Sequence, residues 1–305
     1  MKPLIIGTRG SPLALAQVDI ISALLRQAHP GIQLERHIIK TSGDLFQTAS
    51  LTKGAGKGLF TMEIEEQLLA GQIDVAIHSM KDLPTSLPDG LVIGGVPARD
   101  DVRDVLISKQ PMSVASLPAG ATVATSSIRR RAQLLAARPD LKIVEIRGNV
   151  DTRLRKLGEN ADWAATILAC AGLNRLGIRP NWPQYHWQAL PVEVMLPAVG
   201  QGAIACEIRA NDTGTRTLLS AVNDAATFAC ITAERSFLHA IGGGCQLPYA
   251  AHGTVTGTEL QLVAAMFSED GKTVKRATVT GKVTEAATLG QQAAERLLVR
   301  PAGVS

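Results

Sequence analysis

A short apolar strand that runs at once into a serine-capped helix constrains the fold of this chain more than any other feature, because it occurs twice. Residues 3–8 read as a buried strand, Arg9-Gly10-Ser11-Pro12 as a tight turn, and the periodic apolar residues over 13–28 as a helix. Ser11 stands at its N-cap and Pro12 in its first turn, where the fixed φ and missing N–H of proline are tolerated. The plan returns as a strand over 121–125, a cap at Ser126-Ser127 and a helix over 128–137. Repeated strand, turn and helix predict α/β units, in which ligands gather outside the carboxyl ends of the strands. The first turn is also an anion seat, with backbone N–H groups at the positive end of a helix dipole and Arg9 and the Ser11 hydroxyl beside them.

The remaining segments fill out the first unit. A strand over 33–40 leads into a polar, glycine-containing stretch over 41–58 that carries Lys53 and Lys57. Its Gly56-Lys57 pair is no nucleotide P-loop, since Gly58 and Leu59 come next where that motif needs Ser or Thr. A glycine-jointed lid whose lysines close over an acidic ligand is the expectation. A helix over 59–70 comes next, then a strand over 74–78 that delivers His78-Ser79-Met80-Lys81-Asp82-Leu83-Pro84 at its carboxyl end. His78 reads as a core histidine satisfied by a neighbour, whereas Asp82, flanked by Lys81 and a proline turn, is placed for chemistry. An ionised carboxylate there stabilises a developing cation or relays a proton.

After a strand over 91–96, the charged run 99–103 reads as a domain exit. The second unit places Arg129, Arg130 and Arg131 in the first turn of its helix, the reverse of what the helix dipole prefers, so an anion is expected to compensate them. A strand over 142–147, the Gly148-Asn149 turn, a helix over 150–157 with Arg153, a strand over 166–169 and the segment 172–175 complete it. Several arginines at the strand and helix ends of one unit describe a carboxylate-binding cleft. Residues 191–202 read as a second crossover, residues 203–209 as a strand returning to the first unit, and two crossovers imply a hinged cleft. Beyond 225 come a helix to 239, strands over 249–256, 259–267 and 273–280, and a last helix over 285–299. The expected domains are residues 1–98 with 203–220, residues 103–196, and a small α+β domain over 225–305.

Net charge is only +4 over 305 residues, but the positive charge is concentrated between Arg129 and Lys156. Ten aromatic residues and no recognisable motif make nucleic acid a poor partner and a small polycarboxylate a better one. Cysteines at 170, 206, 230 and 245 form no Cys-x-x-Cys pair and no metal spacing, so free thiols and no metal are expected. The absence of a signal-peptide core or a spanning apolar run predicts a cytoplasmic protein with no membrane contact. The thiol at 245 stands apart, because Gly242-Gly243-Gly244 and Pro248 bracket it in a shaped loop. Taken alone, a cysteine after a helix is more often a small buried apolar residue.

Six stretches in this order resemble the porphobilinogen deaminase (hydroxymethylbilane synthase) family across nearly the whole chain. They are Thr8-Arg9-Gly10-Ser11-Pro12-Leu13-Ala14, His78-Ser79-Met80-Lys81-Asp82, Thr125-Ser126-Ser127-Ile128-Arg129-Arg130, Arg147-Gly148-Asn149, Pro197-Ala198-Val199-Gly200-Gln201-Gly202 and Gly243-Gly244-Cys245. The resemblance implies two α/β domains like periplasmic binding proteins, a cleft between them, and a third domain carrying the thiol. It implies a transferase of tetrapyrrole (haem) biosynthesis whose Cys245 forms a thioether to a dipyrromethane cofactor built from two porphobilinogen units. Four more porphobilinogen units are then added through linear polypyrrole intermediates before water releases the chain. By the same resemblance Asp82 is the catalytic acid. Ser11, Lys81, Asp82, Thr125, Ser127, Arg129, Arg130, Arg147 and Gly148 hold the cofactor, Arg9, Arg147, Arg153 and Arg175 bind substrate, and Lys53, Lys57 and Phe60 belong to an active-site loop. The family implies a monomer. Two other classes use similar features: an acidic-ligand solute-binding protein, which has no use for a loop thiol, and a nucleic-acid binder, which would use the 129–156 patch.

Overall fold

The computed structural model describes residues 2–45, 61–243 and 247–299. In chain order it begins with β1 (Leu4–Thr8), α1 (Pro12–Ala28), β2 (Leu34–Ile38), α2 (Ser42–Leu45), α3 (Met62–Leu69), β3 (Val75–Ser79) and β4 (Leu91–Gly95). The middle of the chain forms β5 (Asp104–Ser108), β6 (Thr122–Ala124), α4 (Ile128–Ala137), β7 (Lys142–Val144), α5 (Val150–Glu159), β8 (Trp163–Ala169), α6 (Cys170–Leu176) and β9 (His186–Ala189). The chain continues with β10 (Ile204–Arg209), α7 (Thr213–Ser220), α8 (Ala225–Ala240), β11 (Tyr249–Thr256), β12 (Glu259–Phe267), β13 (Val274–Lys282) and α9 (Ala286–Leu298). Two compact units result, one of residues 1–100 with 203–228 and the other of residues 101–202 with 229–305.

The first unit is a five-stranded sheet in the order β2-β1-β3-β10-β4, parallel except for β10, which runs antiparallel to β3 and β4. Alternation along the strands sends Ile6, Val75, Ile77, Cys206 and Ile208 to one face, where they pack with Val18, Ile21 and Leu25 of α1 and Leu219 of α7. Ala76 faces the other way and packs with Ile64 and Leu68 of α3. Each fully buried Leu or Ile contributes about 1.5–3 kcal/mol relative to an exposed one, so the two faces fix the register of every strand.

The second unit repeats this order. Its five-stranded sheet runs β7-β6-β8-β5-β9, with β6 parallel to β7 and β8, and β5 antiparallel to β8 and β9. The same unit holds the separate antiparallel sheet β11-β12-β13, covered by α8 and α9 through Phe237, Leu262, Leu289 and Ala293. Two contacts tie this small sheet to its neighbours within the unit. Glu234 of α8, fully buried, accepts the N–H groups of Gly200 (2.8 Å) and Gly253 (2.9 Å). The β12–β13 turn comes so close to α4 that a Cβ on Gly271 would stand 2.7 Å from the Ala132 carbonyl oxygen, which only glycine avoids.

Several expectations are corrected. No strand was expected directly after the charged run 99–103, where β5 has five buried residues and opens on a charged side chain that finds partners far along the chain. The segment 172–175 belongs to a helix, α6, that begins at Cys170 and ends where Gly177 takes the left-handed conformation. Strand β8 starts at Trp163 and β7 stops at Val144. Ser42–Leu45 forms a short helix where only a lid was expected, and the lid residues Lys53, Lys57 and Phe60 lie outside the described residues, as does Cys245.

Candidate active site

In the first unit the parallel strands β1 and β3 end side by side, and the turns that leave their carboxyl ends enclose one pocket. Its walls include Arg9, Ser11, Gln17, Thr61, His78, Ser79 and Asp82. Ser11 caps α1, its hydroxyl accepting the Ala14 N–H at 3.3 Å, and the Gln17 amide donates to the Ser79 hydroxyl at 2.8 Å. Asp82 closes a single 3₁₀ turn, Met80–Asp82, anchored by buried Met80, whose N–H donates to the Ala203 carbonyl at 3.1 Å. The turn therefore offers an exposed carboxylate to the pocket from a fixed base. Lys81 is half-buried within the same turn.

The rear of this pocket is acidic. His78 is buried, and its Nε2 lies 3.1 Å from a carboxylate oxygen of Glu207, itself wholly buried on β10. Oε1 of Glu207 and Oε1 of nearby Glu65 are buried without a hydrogen-bond partner among the described residues. Burial first, and then the charge of Glu207, raise the Glu65 carboxyl above its ordinary range, against the Thr61 hydroxyl and His78, which lower it.

In the second unit the corresponding strand ends carry the basic groups. Thr125 lies just past β6 and donates its N–H to Val144 of β7 at 2.8 Å, while its hydroxyl accepts the Ser127 N–H at 3.2 Å. Ser127 caps α4 by accepting the Arg130 N–H at 3.4 Å. Arg129 and Arg130 are buried and converge on Asp104, each at 2.8 Å, with further donors on the Leu196 and Ile167 carbonyls. Asp104 is the anion that the arginine-loaded helix start required. Burial works to raise its carboxyl, but the charges of Arg129 and Arg130 outweigh it and hold the group well below the usual carboxylate range. Gln201 is the third side chain to donate to Asp104, at 2.9 Å.

Around this knot stand the other expected residues. Arg147, 42% exposed, reaches Glu145 at 3.3 Å, and the Arg153 Nε donates to the Gly148 carbonyl at 2.8 Å. Gly148 has φ +116°, and a Cβ there would meet Thr152, so glycine shapes the turn that starts α5. Arg175 donates to the Gly202 carbonyl at 2.5 Å. Because β6, β7 and β8 are parallel, these groups belong to the turns and helices that follow the carboxyl ends of one sheet. Two guanidinium groups face the single carboxylate of Asp104, and Arg153 and Arg175 stand at the same strand ends.

Sequence reasoning missed Asp104, Glu65, Glu207 and Gln201. An acid inside an apolar run was the available signal for two of them, Val102-Arg103-Asp104-Val105-Leu106 and Ile204-Ala205-Cys206-Glu207-Ile208. Among the described residues no cluster of three or more His, Cys, Asp or Glu side chains could hold a metal ion, and no helix is long and apolar enough to cross a membrane. Cys170, Cys206 and Cys230 are buried, and no disulfide joins them.

The sequence has close counterparts among known proteins. Residues 4–217 match the model of the porphobilinogen deaminase dipyromethane cofactor binding domain, and residues 228–299 that of the porphobilinogen deaminase C-terminal domain. The chain is 48% identical over 299 residues to porphobilinogen deaminase of Brevibacillus brevis, covering 98% of this chain and 94% of the relative. It is 48% identical over 304 residues to that of a Geobacillus species, covering 99% and 96%. Among solved structures it is similar to an arginine-specific periplasmic binding protein of Salmonella typhimurium, with 14% identity, a TM-score of 0.43 and coverage of 73% and 92% of the two chains.

Proposed function

Because the chain belongs to the porphobilinogen deaminase family, we propose a division of labour in which the first unit supplies the proton chemistry and the second holds carboxylates. The reaction joins four porphobilinogen units head to tail onto a dipyrromethane primer, with loss of ammonia at each addition, and water then releases hydroxymethylbilane. When bound, the dipyrromethane supplies the free pyrrole carbon to which the first substrate is joined.

Asp82 acts on the reacting ring. Its carboxylate accepts the pyrrole N–H, assists departure of the amino group as ammonia, and stabilises the cation left on the substrate. Arg9, in the same pocket, takes a substrate carboxylate at the start of α1, while Ser11 beside it and Lys81 from the neighbouring turn hold the cofactor. In the second unit Thr125, Ser127, Arg129, Arg130, Arg147 and Gly148 hold the acetate and propionate groups of the cofactor, and Arg147, Arg153 and Arg175 those of the growing chain. The surplus positive charge over Asp104 suits that task, since a charged hydrogen bond is worth about 1.5–3 kcal/mol net. Buried guanidinium groups already fixed on Asp104 lose little freedom when a carboxylate arrives.

Cys245 is the attachment point through a thioether, and Lys53, Lys57 and Phe60 form a loop that shields the site from water. We assign the chain to the cytoplasm, as a monomeric transferase with three domains. The observation that carries this reading is the placement of Asp82, presented to a polar pocket by a turn with a buried anchor. The test has two arms. Intact-mass measurement of purified protein is expected to show an excess matching two linked pyrroles that disappears in Cys245→Ala, and an active wild type without that excess would refute the thioether. Asp82→Ala is expected to fold and to lose at least about 100-fold in turnover, monitored with Ehrlich's reagent. Unchanged turnover in that variant would remove Asp82 from its role.

A further inference from the structure

The buried acids behind the Asp82 pocket are a group the reaction has not yet used. Antiparallel pairing of β10 with β3 sets Ala205 opposite His78 and Glu207 opposite Ala76, so His78 and Glu207 lie on the same face of the sheet. That face is the one covered by α3, which brings Glu65 to them. His78 also lines the pocket, alongside Asp82 and Thr61. It therefore touches the site on one side and a wholly buried carboxylate on the other.

Glu207 has the imidazole at 3.1 Å as a counter-group, whereas Glu65 has burial and the charge of Glu207 against it, which raise its carboxyl. With the Nε2–H of His78 donated to Glu207, Nδ1 carries the lone pair. Among the other charged groups on elements packed against β3, Glu66 of α3 and Asp19 and Arg26 of α1 are exposed. Arg209, on the Glu207 face of β10, bonds the Leu68 and Ile73 carbonyls and pairs with Asp74 and Asp212, and Glu63 of α3 accepts from Ser42. Arg9 and Asp82 share the pocket itself, and Cys206 faces the opposite side of the sheet.

We propose that His78, held and charge-balanced by Glu207 as a positioning residue, accepts the carbon proton released at each condensation. In that step the C–N bond breaks and its electron pair leaves with ammonia. The terminal pyrrole carbon forms the new C–C bond to the resulting cation, and the same carbon then gives up its proton, restoring the aromatic ring. The proton passes to neutral His78, whose imidazolium is stabilised by Glu207 until it is lost to water. Asp82 is thereby left ionised for the next cation. This inference rests on the reading that the chemistry takes place in the Asp82 pocket.

The experiment compares pH profiles of kcat and kcat/KM for the holoenzyme between about pH 5.5 and pH 9 in wild type, Glu207→Gln, Glu65→Gln, His78→Gln and Asp82→Asn. In wild type kcat falls on the acid side as His78 becomes protonated. Glu207→Gln removes the charge that favours the imidazolium, so its acid limb moves about one unit to lower pH, and its plateau kcat falls about tenfold while KM stays within about twofold. Glu65→Gln, which resembles the protonated carboxyl, moves the limb less than Glu207→Gln does. His78→Gln loses the limb together with about 100-fold in kcat. Coincident acid limbs in wild type and Glu207→Gln, whatever the drop in kcat, would overturn the proposal. An active Asp82→Asn enzyme would instead overturn the reading of the pocket on which it stands. If Glu207→Gln does not fold, nitrogen NMR of the histidine rings in wild-type holoenzyme decides: a His78 titration that tracks the kcat limb supports the proposal, and one that departs from it sinks it.

Discussion

The two five-stranded sheets are built on one strand order, yet they place opposite chemistry at equivalent edges. In each, a single antiparallel strand enters the sheet beside the central parallel strands and brings in a fully buried acid, Glu207 on β10 and Asp104 on β5. Asp104 meets two permanently charged guanidinium groups, while Glu207 meets an imidazole. The first acid is locked in its charged form and serves as an electrostatic anchor. The second faces a partner whose charge changes with a proton, in a pocket that also presents Asp82. One topology can therefore supply a fixed field or a titrating one, according to whether the partner is arginine or histidine.

The largest test of that contrast is Asp104→Asn. Removing the anchor leaves two buried guanidinium groups facing each other, and a loss of about 3–5 kcal/mol in unfolding free energy is expected by denaturant titration. A loss below about 1 kcal/mol would mean that the anchor is dispensable and the contrast false. The pH dependence has its origin in the same group. Its depressed carboxyl pKa contributes stability that is fully present above the unfolded value of about 3.9 and is lost as pH falls towards the folded value. Acid unfolding of wild type should therefore steepen below about pH 4, and Asp104→Asn should lack that component.

A smaller test compares the two helix caps. Ser11→Ala and Ser127→Ala each delete a side-chain acceptor for a helix N–H, and each should cost about 1 kcal/mol in unfolding free energy. Ser127→Ala should add a weakening of carboxylate binding, because its helix starts with Arg129 and Arg130; equal functional effects in the two variants would erase the distinction between the edges. The smallest effect concerns Glu65. A carboxyl whose folded pKa is raised contributes most below its unfolded value of about 4.3 and loses that contribution as pH rises through the folded value. Glu65→Gln should consequently match wild type in unfolding free energy near pH 4 and exceed it near pH 8, by a fraction of a kcal/mol to about 1 kcal/mol. A gap that narrows with rising pH would contradict the raised Glu65 carboxyl.

The sequence-readable parts of the fold are those whose cause is local. Ser11 and Ser127 announce helix starts within four residues of themselves, and both hydroxyls do cap. The strands of the small sheet are legible by alternation, and β11 and β12 have the expected bounds. What escapes depends on partners distant in the chain. Strand β5 looks like the end of a charged linker until Arg129 and Arg130, about 25 residues on, are brought to Asp104. Glu207 lies 129 residues from His78, and nothing local at either position names the other. Reading His78 as a core histidine with a satisfied ring agrees with its burial and its partner; its place in the pocket wall needs the sheet. Helix α7 escapes notice because a polar run, Thr213–Ser220, hides its start at Asp212, whose carboxylate accepts the Thr215 N–H at 2.9 Å.

The buried sulfurs offer a practical consequence. Cys170, Cys206 and Cys230 are all buried; burial pushes the thiol of Cys206 up to about 12 and raises that of Cys170, so little reactive thiolate exists at those two positions near neutral pH. Alkylating reagents applied to the native enzyme thus meet three buried positions, and counting labelled sulfurs before and after denaturation becomes a direct assay of whether position 245 is free or already capped.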